Sequence, residues 1–346
     1  MKKVIWPLAF FLGISLPVWA DQISETRLDH QLRQIIQTKK LSGRPALNKS
    51  IYPISSPMAQ LGKRLFFSTL LGGKTDTACA SCHHPLLGGG DSLSLSIGVD
   101  AVDPQILGPK RRHSPEGFDF DGGPTVARNS PSTFNSVFYS RCMFWDCRIE
   151  SLGATPGMNG SDDSIIRTPD TMWGMPRIRT SSLLQAQVAF PVIATNEMRA
   201  KFKEDEDHNE LRGDLASRIK KQSKLWLTDF QQAFNSKADT QQIITFENIS
   251  FAIAAYEASQ IFVNNPWQAY IKGNNEAISD KAKQGALLFF QSAEQGGYGC
   301  SNCHSGDFFT NEKAYVTAIP QIGRGKDDGF DKSHDYGRYV ETGNPD

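Results

Sequence analysis

The 346-residue chain has no surplus of charge: 37 Lys and Arg stand against 37 Asp and Glu. A nucleic-acid or anionic-membrane partner asks for a basic surplus, so this balance argues against both. The chain also lacks any apolar run, after its first twenty residues, that could cross a bilayer. Strand-like alternation is scarce, which argues against an all-β fold. No methionine follows Met198, and cysteine is limited to six. What is present reads as folded protein. Hydrophobic residues make up 39% and charged residues 21%, which is globular rather than disordered, and the length suits two domains.

The opening "MKKVIWPLAFFLGISLPVWA" sets Lys2 and Lys3 before a short apolar run and ends in Val18-Trp19-Ala20. This predicts a signal peptide over 1–20, cut after Ala20, and so an exported, periplasmic protein. The run is shorter than the roughly 20 residues of a membrane span. Removing Lys2 and Lys3 leaves 37 − 2 = 35 basic against 37 acidic residues.

Four of the six cysteines fall into two Cys-x-x-Cys-His boxes, "CASCH" at 79–83 and "CSNCH" at 300–304. This is the pattern of covalent c-type haem attachment. Cys79 and Cys82, and again Cys300 and Cys303, would add to the two haem vinyl groups, with His83 and His304 on the irons. A zinc site or a thioredoxin-type pair are the competing readings; two boxes behind an export signal favour haem. Cys142 and Cys147 bracket "MFWD", where a local disulfide and two buried thiols are both open.

The boxes sit in an internal repeat. "GKRLFFSTLLGGKTDTACASCH" and "GALLFFQSAEQGGYGCSNCH" both read Gly-x-x-Leu-Phe-Phe, a glycine-containing loop, then the box. Two cytochrome c-like modules are expected, each with a helix whose Leu-Phe-Phe face packs on the haem edge. Helical periodicity marks 27–40 (Leu28, Leu32, Ile35, Ile36), 209–234 and 245–262. Residues 86–180 are rich in Gly, Pro, Ser and Asp and read as long functional loop. The expected organisation is a mainly α fold: a helical arm at 21–50, a first haem domain at 51–270 and a second at 271–346.

The ordered motifs "LGKRLFF", "CASCHHP", "GGGD", "SIG", "RNSPSTFN", "FWDCR", "QAQVAFPVIATNEM", "IAAYE", "GALLFF" and "CSNCHSG" resemble the bacterial di-haem cytochrome c peroxidase family, which includes the MauG-type enzymes. The resemblance runs from about residue 50 to the end. It implies a peroxidatic N-terminal haem and an electron-transfer C-terminal haem. It further implies that Glu197 is the distal acid-base group, that Gln187 orients peroxide or water, and that Trp145 relays electrons between the haems. Asn129 would help hold a calcium ion, and the family allows a homodimer.

Three departures stand out. Val99 follows "SIG" where many members carry a histidine that blocks the peroxidatic iron. Cys147 replaces the family's glycine in "FWDCR", so the turn either avoids positive φ or has shifted. The family continues beyond the end of this sequence, so the second module is expected to be incomplete. Its axial ligand, commonly Met and in some members Tyr, would then be lacking, with water or an opportunistic His334, Tyr336 or Tyr339 from a loosely packed tail in its place. His84 is read as structural, and His113, in the inserted "GPKRRHSPEG" loop, as solvated.

The leading functional expectation is a periplasmic peroxidase that reduces hydrogen peroxide with electrons from a c-type cytochrome or cupredoxin. A MauG-like oxidation of protein residues is the alternative. A plain di-haem electron-transfer cytochrome, from a different class, is disfavoured by the presence of Glu197 and Gln187.

Overall fold

The computed structural model describes residues 18–47, 50–152, 166–170, 180 and 182–343; most of the expected signal peptide lies outside them. Its α-helices are α1 (Val18–Thr38), α2 (Pro57–Phe66), α3 (Cys79–Cys82), α4 (Leu183–Val188), α5 (His208–Lys221), α6 (Ser223–Ala233), α7 (Thr240–Ile243), α8 (Phe246–Ala258), α9 (Pro266–Ile271), α10 (Asp280–Phe290) and α11 (Arg338–Thr342). Strands β1 (Cys142–Met143), β2 (Ile149–Ser151) and β3 (Ile166–Arg167) pair antiparallel in that order. The mainly helical expectation holds among the described residues. The 209–234 helix is interrupted at Gln222, although no glycine or proline marks the break. Packing explains it: α5 lies on the 69–71 turn, while α6 turns Trp226 and Phe230 toward α2.

Two compact units result, residues 1–45 with 263–311 and residues 46–262 with 312–346. Both chain segments that cross the expected boundaries do so for identifiable reasons. The arm packs in the smaller unit, where Leu32 and Ile36 of α1 meet Tyr270, Leu287 and Phe290. Buried Asp29 fixes the contact, accepting from the Tyr270 hydroxyl at 2.6 Å and from Lys283 at 3.2 Å. The 312–346 tail, expected in the second module, belongs instead to the larger unit. The Glu312 carboxylate accepts backbone N–H groups of Ser140 (3.0 Å) and Arg141 (2.7 Å). Ion pairs Lys326–Asp146 (2.5 Å), Asp335–Arg128 (2.7 Å) and Arg338–Glu150 (2.8 Å) hold the rest. His334, Tyr336 and Tyr339 therefore belong to the unit of the first box.

The core of the larger unit is the α2–α8 pair. Pro57 opens α2 behind an Ser56 cap, and Thr245 caps α8. Leu61, Leu65 and Phe66 are almost wholly buried, worth about 1.5–3 kcal/mol each. Gly62 permits the approach: a Cβ there would sit 1.8 Å from the Ala252 carbonyl oxygen. Its counterpart in the repeat, Gly285, has open space around it. The repeated Leu-Phe-Phe helices do form, as α2 and α10. Phe67 lies edge-on to His84 and Phe289 lies 6.4 Å from the His304 ring.

Candidate haem and peroxide site

The first box forms α3, which brings Cys79 and Cys82 to one side of a short turn and releases His83 just past its end. The His83 Nδ1 lies 3.1 Å from the Gly89 carbonyl and 3.0 Å from that of Pro131. Carbonyls only accept, so Nδ1 carries the proton and Nε2 keeps its lone pair for a metal. Burial holds the imidazole below its ordinary pKa, in the neutral, ligating form. Burial also pushes the Cys82 thiol up to about 12, with Asp91 and Glu197 adding to the rise. The second box repeats the tautomer: His304 Nδ1 donates to the Phe309 carbonyl at 3.2 Å. There, however, Cys303 and His304 are exposed. In both boxes two thiols and one Nε2-free imidazole fit a c-type haem. A further buried acid was missed by sequence reasoning: Glu257 on α8, pushed up to about 8 by burial, adds to the upward push on Cys79.

Glu197 occupies a π-helical turn, Thr195–Arg199, an uncommon form that recurs at functional sites. The turn is packed against the "SIG" loop. A Cβ on Gly98 would lie 2.2 Å from the Glu197 carbonyl oxygen, so only glycine lets the loops meet. Val99 beside it is fully buried. The Glu197 side chain lines a cavity of about 310 Å³ together with Trp145, Arg148, His208, Lys326 and Glu341. Burial lifts its carboxyl above the usual range; Arg148 pulls it down, Asp146 pushes it up and Lys326 lowers it. Arg148 stands 3.7 Å from Glu197 but 3.0 Å from Asp146. Asp146 has no exposure and also accepts from Lys326 at 2.5 Å. Burial alone would raise the Asp146 carboxyl, but the two cations hold it below the ordinary value.

The β1–β2 hairpin carries the "FWDCR" motif. Cys142 and Cys147 form a disulfide with Cα atoms 5.1 Å apart, which settles the open alternative. Cys147 takes φ +52°, so the turn does not avoid positive φ, contrary to the first of the two readings of the substitution, and holds a left-handed conformation that a glycine would adopt freely. Trp145 is 37% exposed, and its Nε1 donates to Asp335 at 3.3 Å. Arg148 stacks 3.6 Å over the Phe144 ring centroid and 4.8 Å over that of Trp145.

The other expected residues are distributed differently. Gln187 is half-buried on α4 and is not among the residues lining the Glu197 cavity. Asn129 donates its amide to the Leu93 carbonyl at 2.6 Å, pinning a loop. Among the described residues no group of three carboxylate, imidazole or thiol side chains gathers as an ion site. His84 accepts from Leu86 N–H and caps a turn. His113 is not solvated: it is 6% exposed and packs on Phe120 at 5.2 Å. The inserted loop folds back on itself, Val102 N–H bonding to Arg112 and Ser114 N–H to Asp100, and this covers the ring. Sequence reasoning passed over Asp146, Arg148, Gly98, Lys326 and Asp335. The first three lie inside quoted motifs; nothing local marks the other two.

The family model described as "Di-haem cytochrome c peroxidase" matches residues 56–276. Cytochrome c551 peroxidase of Pseudomonas aeruginosa is 26% identical over 254 residues, covering 73% of this chain and 52% of that protein. The methylamine utilization protein MauG of Methylophilus methylotrophus is 24% identical over 281 residues, covering 79% of this chain and 61% of the other. The chain thus spans about half to three-fifths of the length of these relatives. A solved MauG-like protein associated with microbial copper homeostasis superposes with a TM-score of 0.50 at 20% identity, over 87% of this chain and 71% of that one, a likeness of fold.

Proposed function

The chain belongs to the di-haem cytochrome c peroxidase family, and from that premise we propose that it reduces hydrogen peroxide to water on the exported side of the membrane. Two electrons and two protons convert each peroxide to two waters. The electrons would come from a small redox protein, a c-type cytochrome or cupredoxin; Cys300, Cys303 and His304 would hold the haem that receives them, Cys79, Cys82 and His83 would hold the peroxidatic haem, and Trp145 would serve as the relay. The haem, when bound, supplies the iron at which the O–O bond is broken. The protein's part is proton handling and placement. Glu197 takes the proton from the near peroxide oxygen and returns it to the far one, which leaves as water. Arg148, 3.7 Å from Glu197, steadies the carboxylate between transfers without locking it in a short ion pair. His83 is held in the ligating tautomer by the Gly89 and Pro131 carbonyls.

One observation carries this reading. Glu197 lines a cavity, and the 97–98 backbone joins its turn to the first haem box: the Cys82 thiol lies 3.9 Å from the Ile97 carbonyl, and Gly98 packs on the Glu197 backbone. The test is steady-state peroxide turnover by the protein loaded with both haems and a reduced donor. Absence of turnover would remove the peroxidase reading. Val99 favours a second one, MauG-like oxidation of protein residues, because a side chain that cannot ligate leaves the iron accessible at rest. That reading predicts rapid reaction with peroxide but little steady-state turnover with a small donor.

A further inference from the structure

Three cations lie near the Trp145 ring, two of them, Arg148 and Lys326, paired to the buried Asp146. The guanidinium of Arg148 lies 4.8 Å from its ring centroid, that of Arg128 lies 5.8 Å away, and the Lys326 ammonium lies 5.8 Å away. Cations over an indole face attract its electrons and make one harder to remove. A tryptophan that relays electrons must part with one transiently, so these three neighbours oppose the role. One carboxylate is hydrogen-bonded to the ring. Asp335 accepts from the indole Nε1 at 3.3 Å through Oδ1, which also accepts from Gly337 N–H at 2.8 Å. Its Oδ2 accepts from Arg128 Nε at 2.7 Å, and the side chain is 1% exposed. Out of water, that negative charge acts on the ring with little screening.

We propose that Asp335 is the positioning and charge-compensating partner of Trp145, its buried carboxylate on the indole N–H enabling the ring to carry an oxidising equivalent among three cations. The inference rests on the relay role given to Trp145 above. The step balances as follows. One electron leaves the indole for the peroxide-oxidised c-type haem, which is the oxidant. The N–H, made more acidic by that loss, shifts its proton toward Oδ1 of Asp335. The next electron, from the second haem, restores the indole and draws the proton back. Oδ2 keeps Arg128 throughout, so the carboxylate stays oriented.

A merely structural role for Asp335, closing the 335–337 turn, makes a different prediction from a charge role, and two variants separate them. Asp335→Asn keeps an acceptor but deletes the charge. Arg128→Gln deletes a cation near the ring and leaves the carboxylate with less compensation. In protein loaded with both haems, the tryptophan radical trapped by freeze-quenching after peroxide is read by electron paramagnetic resonance. Subtracting the Trp145→Phe spectrum isolates position 145. The rate of electron transfer between haems is followed in parallel. Asp335→Asn should lower both radical yield and transfer rate at least tenfold, and Arg128→Gln should raise both, with Asp335→Glu recovering part of the loss. Unchanged values in Asp335→Asn, or losses in both Asp335→Asn and Arg128→Gln, would overturn the assignment. If Asp335→Asn frees the tail, the opposite-signed Arg128→Gln arm still decides. Trp145→Phe distinguishes the levels: undiminished transfer in that variant removes the relay reading itself, whereas slow transfer there with an unaffected Asp335→Asn removes only Asp335.

Discussion

Gly98→Ala is a one-carbon change aimed at the placement of Glu197. The added Cβ would lie 2.2 Å from the Glu197 carbonyl oxygen, 2.7 Å from that of Asn196 and 2.9 Å from the Glu197 carbonyl carbon. A relaxed carbon–oxygen contact is about 3.3–3.6 Å, so the two backbones must part by roughly 1 Å. The obstruction is main chain, and no flexible side chain can rotate away. The 195–199 turn is restrained on its far side, where Gly73 N–H bonds to Met198 O at 2.6 Å, so the strain falls on Glu197. Overpacking of this kind costs about 1–3 kcal/mol of stability. A misplacement of about 1 Å in a catalytic group can cost about 10²-fold in rate. The expected result is a drop of that order in kcat/KM for peroxide, with both haems still attached and a modest fall in Tm. The assay is stopped-flow reaction with peroxide alongside a haem stain and thermal melt. Full activity in Gly98→Ala would refute the argument that the "SIG" loop positions Glu197.

Glu197→Gln should lower peroxide turnover by about 10²–10⁴-fold with haem content unchanged, as checked by steady-state kinetics and a pyridine haemochrome assay. Glu197 must be ionised to take the first proton, so kcat/KM should fall as pH drops through its pKa. Because burial raises that pKa, the acid limb should lie above the ordinary value of about 4.3. Asp146→Asn removes a like charge and frees Arg148 for Glu197, so the limb should move to lower pH; a move upward in the pH–rate profile would contradict the charge arrangement. With Val99 beside the Glu197 turn, the resting first haem should be high-spin and react with peroxide before the second is reduced. Two fully low-spin resting spectra would count against this. Cys142→Ser with Cys147→Ser should cost about 2 kcal/mol, the loop entropy of so short a ring, in denaturant unfolding of the larger unit; no loss of stability would assign the turn to the tail contacts alone.

The haem boxes were legible because covalent attachment requires fixed residues at fixed spacing, and the two helices before them because Leu-Phe-Phe follows helical period. Glu197 could be singled out only through the ordered motifs, since a glutamate near a turn carries no signature of its own. Arg148 and Gly98 lay in the same motifs, but their roles depend on distances across the fold: Gly98 is defined by a backbone 99 residues away, at Glu197. Lys326 and Asp335 were beyond sequence reasoning for a stronger reason. Position after the second box assigned them to the second module, whereas half-buried ion pairs to Asp146 and Arg128 draw them to the first. His113 shows the opposite error, a polar loop residue covered because its loop doubles back.

The same ion pairs would suit Glu197 to the acid-base role proposed for it. A buried carboxylate with a short, undivided ion pair is held ionised, and one with no cation nearby is held neutral; neither cycles readily. Here Arg148 is divided. Its nearer partner is Asp146 at 3.0 Å, and Glu197 receives the longer contact at 3.7 Å. Lys326, supplied by the tail, shares the negative charge of Asp146 and keeps it from claiming Arg148 entirely. Burial lifts the Glu197 carboxyl above its ordinary range, while Arg148 and Lys326 pull against that rise. The tail, the hairpin and the π-helical turn meet at this one division of charge, which places residues far from the haem boxes in sequence among those that set the charge around Glu197.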